Sequence, residues 1–195
     1  MNPLVDDRLR RAREGDIAAF NELVLEHQGL VVNLCYRLLG QRQQAEDAAQ
    51  EAFIAAWRGL GGLRGDIFRP WLLRIAANAC KDELRRRGRR PSTSLDDALE
   101  DGMPEPPDAG PQPEPVLLQG ELRDRIEVAL RELPDEQRLA LVLCDIEGLD
   151  YVEIATAMGT SLGTVKSRIA RGRARLRDVL LREPELLPTR FRPKV

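Results

Sequence analysis

Aromatic side chains make up only 4% of the 195 residues, against 43% hydrophobic residues in all. A core of that composition must be assembled from Leu, Ile, Val and Ala. Such residues suit helices better than sheets and argue against a β sandwich. His27 is the single histidine, and Cys35, Cys80 and Cys144 lie far apart without a paired spacing. This scarcity counts against a zinc site, a disulfide framework and a histidine-based catalytic triad. With no metal-ligand set, no cofactor motif and no nucleophile constellation in view, an enzyme is not expected. Long apolar runs are missing as well. The opening MNPLVDDRLRR lacks the apolar stretch of a signal peptide, and nothing approaches the roughly 20 apolar residues that span a bilayer. A cytoplasmic protein without direct membrane insertion is expected.

Net charge is also slight, -2 in total, which offers no general attraction for nucleic acid. The total hides an uneven distribution. Residues 1–90 carry 16 basic and 12 acidic groups, residues 91–118 none and 7, and residues 119–195 carry 14 and 13. The middle segment, PSTSLDDALEDGMPEPPDAGPQPEPVLL, also holds seven of the thirteen prolines and little to bury. Packing there cannot repay the entropy of ordering, so a flexible acidic linker is predicted over 91–118. Domains at 1–90 and 119–183 flank it, and 184–195, with Pro184, Pro188 and Pro193, reads as a tail.

The first domain reads as helical. From Ile17, apolar residues recur at Phe20, Val24, Val31, Leu34, Cys35 and Leu38, with His27 on the same stripe as a packed residue, up to Gly40. That is the period of an amphipathic helix. The next segment places Ala45, Ala48, Ala49, Ala52, Phe53, Ala56 and Trp57 on a three-four pattern, opposite Glu46, Asp47, Gln50 and Glu51. By periodicity alone this acidic face is solvated surface. After a glycine loop, Pro70 falls where a first-turn proline is tolerated, and a helix is expected from about Arg69 to Arg87. Leu72, Ile75, Ala76, Ala79 and Cys80 form its buried stripe. Trp71, Arg74, Asn78, Lys81 and Arg85 share another face, expected in solvent, and lead into an arginine-rich end that includes Arg86. Cations for phosphates beside an aromatic and an amide for bases suit a single-stranded or melted nucleic acid. A plain basic helix end, favoured by the helix dipole, is the alternative.

The second domain carries a sharper motif. Leu122, Ile126, Ala129, Leu130 and Leu133 line one helix, and Leu139, Val142, Leu143 and Ile146 line the next, from Pro134 to Gly148. Asp150 with Glu153 resembles a capping box for a short helix YVEIATAM, Gly159 breaks it, and Ser161 caps a long basic helix that follows. Short helix, glycine turn and longer helix form the helix-turn-helix pattern. Between Leu162 and Arg177 the second helix carries six cations and no acid. A basic amphipathic helix can also serve a membrane surface or a partner protein, but the short capped helix before it favours DNA.

The order GDIAAFNELV, AEDAAQEAFIAAW, GDIFRPWLLRIAANACKDELRRRGR, acidic proline-rich linker, LPDEQRLALVLCDIEGLDYVEIATAMGTSLGTVKSRIARGRARL resembles a bacterial RNA polymerase sigma factor of the extracytoplasmic-function group. The likeness spans about residues 8–180. It implies an all-α protein of two small helical domains, the second with a helix-turn-helix. Core RNA polymerase, promoter DNA and an anti-sigma factor are the implied partners, and promoter-specific initiation the implied role. The resemblance assigns Asp47, Gln50, Glu51 and Phe53 to polymerase docking, reversing the solvated-face reading. It assigns Arg64, Phe68, Trp71, Arg74, Asn78, Lys81, Arg85 and Arg86 to the minus-ten element. Ser161, Thr164, Lys166, Ser167, Arg168, Arg171 and Arg175 fall to the minus-thirty-five element. A stand-alone repressor would use the same helix-turn-helix but has no need of the acid-faced alanine helix or of two basic surfaces.

The 28-residue linker would reach about 85 Å as polyproline and about 30 Å as a flexible coil. Two promoter elements two helical turns apart lie about 70 Å from one another. An extended linker in the cationic channel of polymerase, mimicking RNA, is therefore expected in the bound state. Replacing its seven acids by amides should weaken holoenzyme assembly or alter early transcript release, read as core affinity and abortive product yield; no change in either would contradict that placement.

Overall fold

The computed structural model describes residues 3–63, 65, 67–89 and 114–182. Arg64, most of the expected linker and the 184–195 tail lie outside them. The described elements are helical: α1 (Pro3–Arg13), α2 (Ile17–Leu39), α3 (Arg42–Gly59), a 3-10 turn (Leu60–Gly62), α4 (Phe68–Arg89), α5 (Glu114–Arg131), α6 (Asp135–Leu141), a wide π turn (Val142–Ile146), α7 (Tyr151–Met158) and α8 (Leu162–Leu180). Two helical groups result, α1–α4 and α5–α8, as the all-α expectation required.

In the first group α2, α3 and α4 pack on one another and α1 covers α2. Asp16 starts α2 by accepting from the Ala18 and Ala19 amides at 2.9 and 3.1 Å, while Arg11 holds its other oxygen at 2.6 Å. The amide bonds and that guanidinium keep the carboxyl below its usual range. Alanines 45, 48, 49, 52 and 56 are all buried, and α3 needs no bulk to seat itself between neighbours. Larger side chains come from elsewhere: Leu23, Leu34, Leu72 and Leu73 are fully buried, each worth about 1.5–3 kcal/mol of transfer free energy. His27 is indeed a core residue. Its Nδ1 lies 2.9 Å from the Leu23 carbonyl oxygen, and its ring stands edge-on to Phe68 at 5.3 Å.

Several details differ from the periodicity. Ile17 is 58% exposed, so the apolar stripe of α2 starts at Ala19 and Phe20. Helix α1 was not anticipated, although Leu9 and Ala12 supply its buried pair. Helix α4 buries Leu73 and Ala77 beside Leu72, Ala76 and Cys80, because it packs against α2 and α3 on one side and α7 on another. Helix α5 begins at Glu114, inside the segment assigned to the linker; Pro115 is tolerated there in a first turn. The thiols of Cys35 and Cys80, 45 positions apart in sequence, meet between α2 and α4, and that contact with burial raises the Cys35 thiol well above its ordinary value.

In the second group both sequence-predicted caps are present. Asp150 accepts from the Val152 and Glu153 amides at 2.8 Å, and the Glu153 carboxylate accepts from the Asp150 amide at 2.9 Å. Gly159 ends α7 at φ 60°, a left-handed turn that glycine adopts without a Cβ penalty. Ser161 Oγ then accepts from the Thr164 amide at 3.2 Å to open α8. Helix α8 crosses α6 closely enough that a Cβ on Gly172 would stand 2.9 Å from Leu141 Cδ1 and 3.3 Å from the Gln137 carbonyl oxygen.

The two groups also pack together, chiefly α4 on α7 and α2 on α5 and α6. At the seam Arg37 pairs with Glu127 at 2.9 Å and Glu147 at 3.7 Å, all three side chains 11% exposed or less. Arg69 donates to the Glu147 carbonyl oxygen at 2.5 Å, and Arg131 donates to the Tyr36 hydroxyl at 2.9 Å. The charge blocks give no sign of this joint, because its partners are about 80–110 residues apart in sequence.

Gly172→Ala tests the α6–α8 crossing. A solvent-facing helix site would gain up to about 1 kcal/mol from this change. Here overpacking against Leu141 should instead lower unfolding stability by about 1–3 kcal/mol in a denaturant titration.

Candidate nucleic-acid interface

On α3 the side chains Asp47, Gln50 and Glu51 are exposed, while Phe53 is half-buried against the core. A shallow groove beside them is lined by Gln44, Asp47, Gln50, Glu51, Ile54, Glu83 and Arg86. Ile54, 45% exposed, is the apolar member of this face. It was missed, yet the three-four spacing from Asp47 and Gln50 points to it rather than to Phe53.

Along α4, Arg74, Asn78 and Arg85 are exposed, and Lys81 is partly covered. Trp71 departs from the expected solvent face: it is half-buried, tilted against Phe68 at 5.9 Å, and its Cζ2 would stand 3.5 Å from a Cβ on Gly59. Phe68 is a correction. Only 3% exposed, it is a core ring between His27 and Trp71 and presents no face to a base. Arg86 turns toward α3, 3.5 Å from Glu51 and 3.2 Å from Glu83, so it stands with the acidic face rather than on the line of Trp71 and Asn78. Arg64 lies outside the described residues.

On α8 the expected residues run from the cap at Ser161 along most of the helix to Arg175. Ser161, Lys166, Arg171 and Arg175 are exposed, and Thr164, Ser167 and Arg168 are partly covered. Arg171 donates to Ser167 through Nε to the carbonyl oxygen and Nη2 to Oγ, both at 3.2 Å. The Ser167 hydroxyl in turn donates to the Thr164 carbonyl oxygen at 2.9 Å. The Arg171 guanidinium is thus folded along its helix beside the Ser167 hydroxyl, and the Ser161 and Thr164 hydroxyls lie 2.9 Å apart at the helix start; hydroxyls can donate to or accept from a base edge. Arg173 points the other way and donates from Nε to Asp145 Oδ2 at 3.0 Å; that guanidinium holds the Asp145 carboxyl below its ordinary range. Val165 and Ile169 carry α8 on the core, both at most 1% exposed.

A helix-turn-helix with a hydroxyl- and cation-bearing helix N-terminus, joined to a basic helix with an exposed amide, defines a DNA-binding protein of the helical class. Comparison with known proteins narrows this. Residues 23–90 match Sigma-70 region 2 and residues 123–176 match Sigma-70, region 4. The RNA polymerase sigma-H factor of Pseudomonas aeruginosa is 42% identical over 170 residues, covering 85% of this chain and 88% of that protein. The ECF RNA polymerase sigma-E factor of Escherichia coli is 41% identical, with the same coverage. The ECF RNA polymerase sigma factor SigE of Mycolicibacterium smegmatis is 44% identical, and the match spans 64% of its length. Among solved structures, CnrH in complex with the cytosolic domain of CnrY superposes with a TM-score of 0.62 at 28% identity, covering 89% of this chain and 94% of that one. The chain belongs to the extracytoplasmic-function group of RNA polymerase sigma factors, whose role is to direct transcription initiation. Among the described residues, no helix is long and apolar enough to cross a membrane.

The Asp145–Arg173 pair gives a pH-dependent prediction. Because the folded pKa of Asp145 is depressed, its stabilisation is present above the unfolded value of about 3.9 and is lost as pH falls through the folded value. Asp145→Asn should therefore be less stable than the parent at pH 7 in denaturant titrations, and the difference should shrink as pH falls below about 3.9.

Proposed function

We propose that the chain docks on core RNA polymerase through α3, using Asp47, Gln50, Glu51 and Ile54, and reads a bipartite promoter. Helix α8 reads duplex DNA of the upstream element with Thr164, Lys166, Ser167, Arg168 and Arg171, with Ser161 at its start and Arg175 toward phosphates. Helix α4 meets the melted downstream strand with Trp71, Arg74, Asn78, Lys81 and Arg85. The observation that carries this reading is the first half of α8, where the Ser161 and Thr164 hydroxyls meet at the helix start and Arg171 folds back on Ser167. Phosphate contacts set register there, and one or two polar side chains choose bases. The family resemblance supports the assignment of α3 to polymerase and of the acidic segment before α5 to the path between the two DNA elements. Capture of unstacked bases by α4 offsets the cost of opening, at about 1–3 kcal/mol per base, so initiation needs no nucleotide hydrolysis for melting. An anti-sigma factor is the regulatory partner expected; the neighbour CnrH was solved with the cytosolic domain of CnrY.

Run-off transcription of genomic fragments with reconstituted holoenzyme tests the reading. Specific transcripts should arise without added ATP hydrolysis, whereas a repressor would bind a palindrome alone and only inhibit. Arg171→Ala should weaken upstream-element binding by about 1–3 kcal/mol. Asn78→Ala should slow opening, followed by permanganate footprinting, and leave core binding intact; loss of core binding would overturn the division of labour between α3 and α4.

A further inference from the structure

Helix α1 precedes the residues that match Sigma-70 region 2, and none of the proposed contacts with polymerase or DNA uses it. It is nevertheless firmly fastened. Leu9 and Ala12 are buried, Arg8 pairs with Glu26 of α2 at 2.6 Å, and Arg11 donates from Nε and Nη2 to Asp16 Oδ2 at 3.0 and 2.6 Å. Because the other oxygen of Asp16 caps α2, the last turn of α1 and the first turn of α2 share one carboxylate. Arg13 ends that last turn and reaches a distant part of the chain. Its Nη2 donates to the carbonyl oxygen of Gly65, 52 positions on.

The accepting carbonyl belongs to the connection between the 3-10 turn and α4. Both ends of this connection are held in the core, by Leu63 and by Phe68, whereas Gly65 and Ile67 between them are exposed. Gly65 adopts φ 72°, a left-handed turn that glycine takes without strain. No heavy atom within 4 Å would meet a Cβ there, so packing around Gly65 does not fix its peptide. The guanidinium does, through a charge-assisted bond that is stronger than one from a neutral amide. Gly62, Leu63 and Ile67 line the same groove as Trp71 and Arg74, which α7 borders on its other side. The peptide that Arg13 holds is thus next in sequence to Arg64 and close to the face of α4 assigned to the melted strand.

We propose that Arg13 is a positioning residue for the downstream promoter element: by holding the Gly65 carbonyl it sets where the connection stands beside Trp71 and Arg74, and so which bases are accepted there. The proposal rests on the assignment of that face of α4 to the melted strand. Arg13 itself touches no base. Its helix is tied to α2 by two ion pairs, which makes it a rigid anchor, while residues 64–67 without it are held at their two ends. Selective contacts need their groups placed to within about 0.5 Å, so a released connection loses discrimination between bases before it loses binding.

Full-length variants in reconstituted holoenzyme test this on a promoter found by run-off transcription and randomised across its downstream element, with transcripts counted by sequencing. Arg13→Met keeps an unbranched apolar stem and removes the donors. Its preference for the best base should fall about tenfold at one or two downstream positions, with upstream-element preference and core affinity as in the parent. Arg13→Lys can still donate to one carbonyl and should restore most of the preference. Gly65→Val leaves α1 intact but cannot keep a positive φ without strain, and should relax the same positions; it decides alone if Arg13→Met fails to fold. A purely structural role would lower transcription from every template by one factor, together with the thermal midpoint. That result, or unaltered base preference in the deciding variant, would overturn the proposal.

Asn78→Ala separates this failure from failure of the α4 assignment. If Asn78→Ala slows opening while Arg13→Met keeps the parent's base preference, α4 meets the strand and Arg13 does not position the connection. If Asn78→Ala opens promoters normally and Arg13→Met and Gly65→Val both keep that preference, the assignment falls, and the positioning role with it.

Discussion

A guanidinium held almost entirely out of water must be paired, and the arrangement of the two helical groups depends on how Arg37 meets that requirement. Its own domain ends α2 with it; both of its carboxylate partners, Glu127 and Glu147, belong to the other domain. Glu147 is pulled in opposite directions. Burial raises its carboxyl above the ordinary value, while Arg37 and Arg69 lower it, and burial is the larger effect. A buried pair of this kind adds little net stability over a well-packed apolar alternative, yet removing one partner is costly, about 3–5 kcal/mol. The joint is therefore better suited to fixing one mutual orientation than to strengthening the fold, and an agent that supplies other partners for these charges can separate the domains.

Local chemistry was readable in the sequence wherever a short-range rule governs it. The Asp150 capping box, the Gly159 turn and the Ser161 cap follow from residue types at fixed spacing, and all three are present. His27 sat on an apolar stripe and is packed there. Failures came where a side chain answers to elements distant in sequence. Phe68 stands next to exposed polar positions in sequence, but its ring fills the space between His27 and Trp71. Phe53 is half-buried on α3, and Ile54, at helical spacing from Asp47 and Gln50, is the apolar side chain on the outer face. Leu73 and Ala77 widen the buried side of α4, a helix that packs on α7 as well as on α2 and α3.

Charge shows the same division between local and long-range rules. Counting by segment found two basic blocks and an acidic middle, and correctly set the total aside as uninformative. A count of 14 basic and 13 acidic groups over 119–195 says nothing of where the acids point. Three of them, Glu127, Glu136 and Glu147, lie instead against cations of the first, and two of these are nearly buried. Partners some 55 to 110 positions apart belong to no motif, and the composition of either block alone is compatible with solvated faces. The family resemblance carried the function across this gap because it rests on the order of whole segments rather than on single contacts.

The tight crossing at Gly172 bears on how the joint between the domains comes apart. With α6 and α8 locked backbone to side chain, Glu136 and Arg168 travel as one rigid body, and their ion pair persists however the domains are disposed. Separation of the domains therefore releases only the α4 end of the bridge that Glu136 makes between Lys81 and Arg168. The first domain then shows Lys81 without a counter-ion from α6, while α8 keeps the Glu136 carboxylate on Arg168. The two ends of the Glu136 bridge thus differ: one depends on domain position, the other is internal to the second domain, and ionic strength should bear on them unequally.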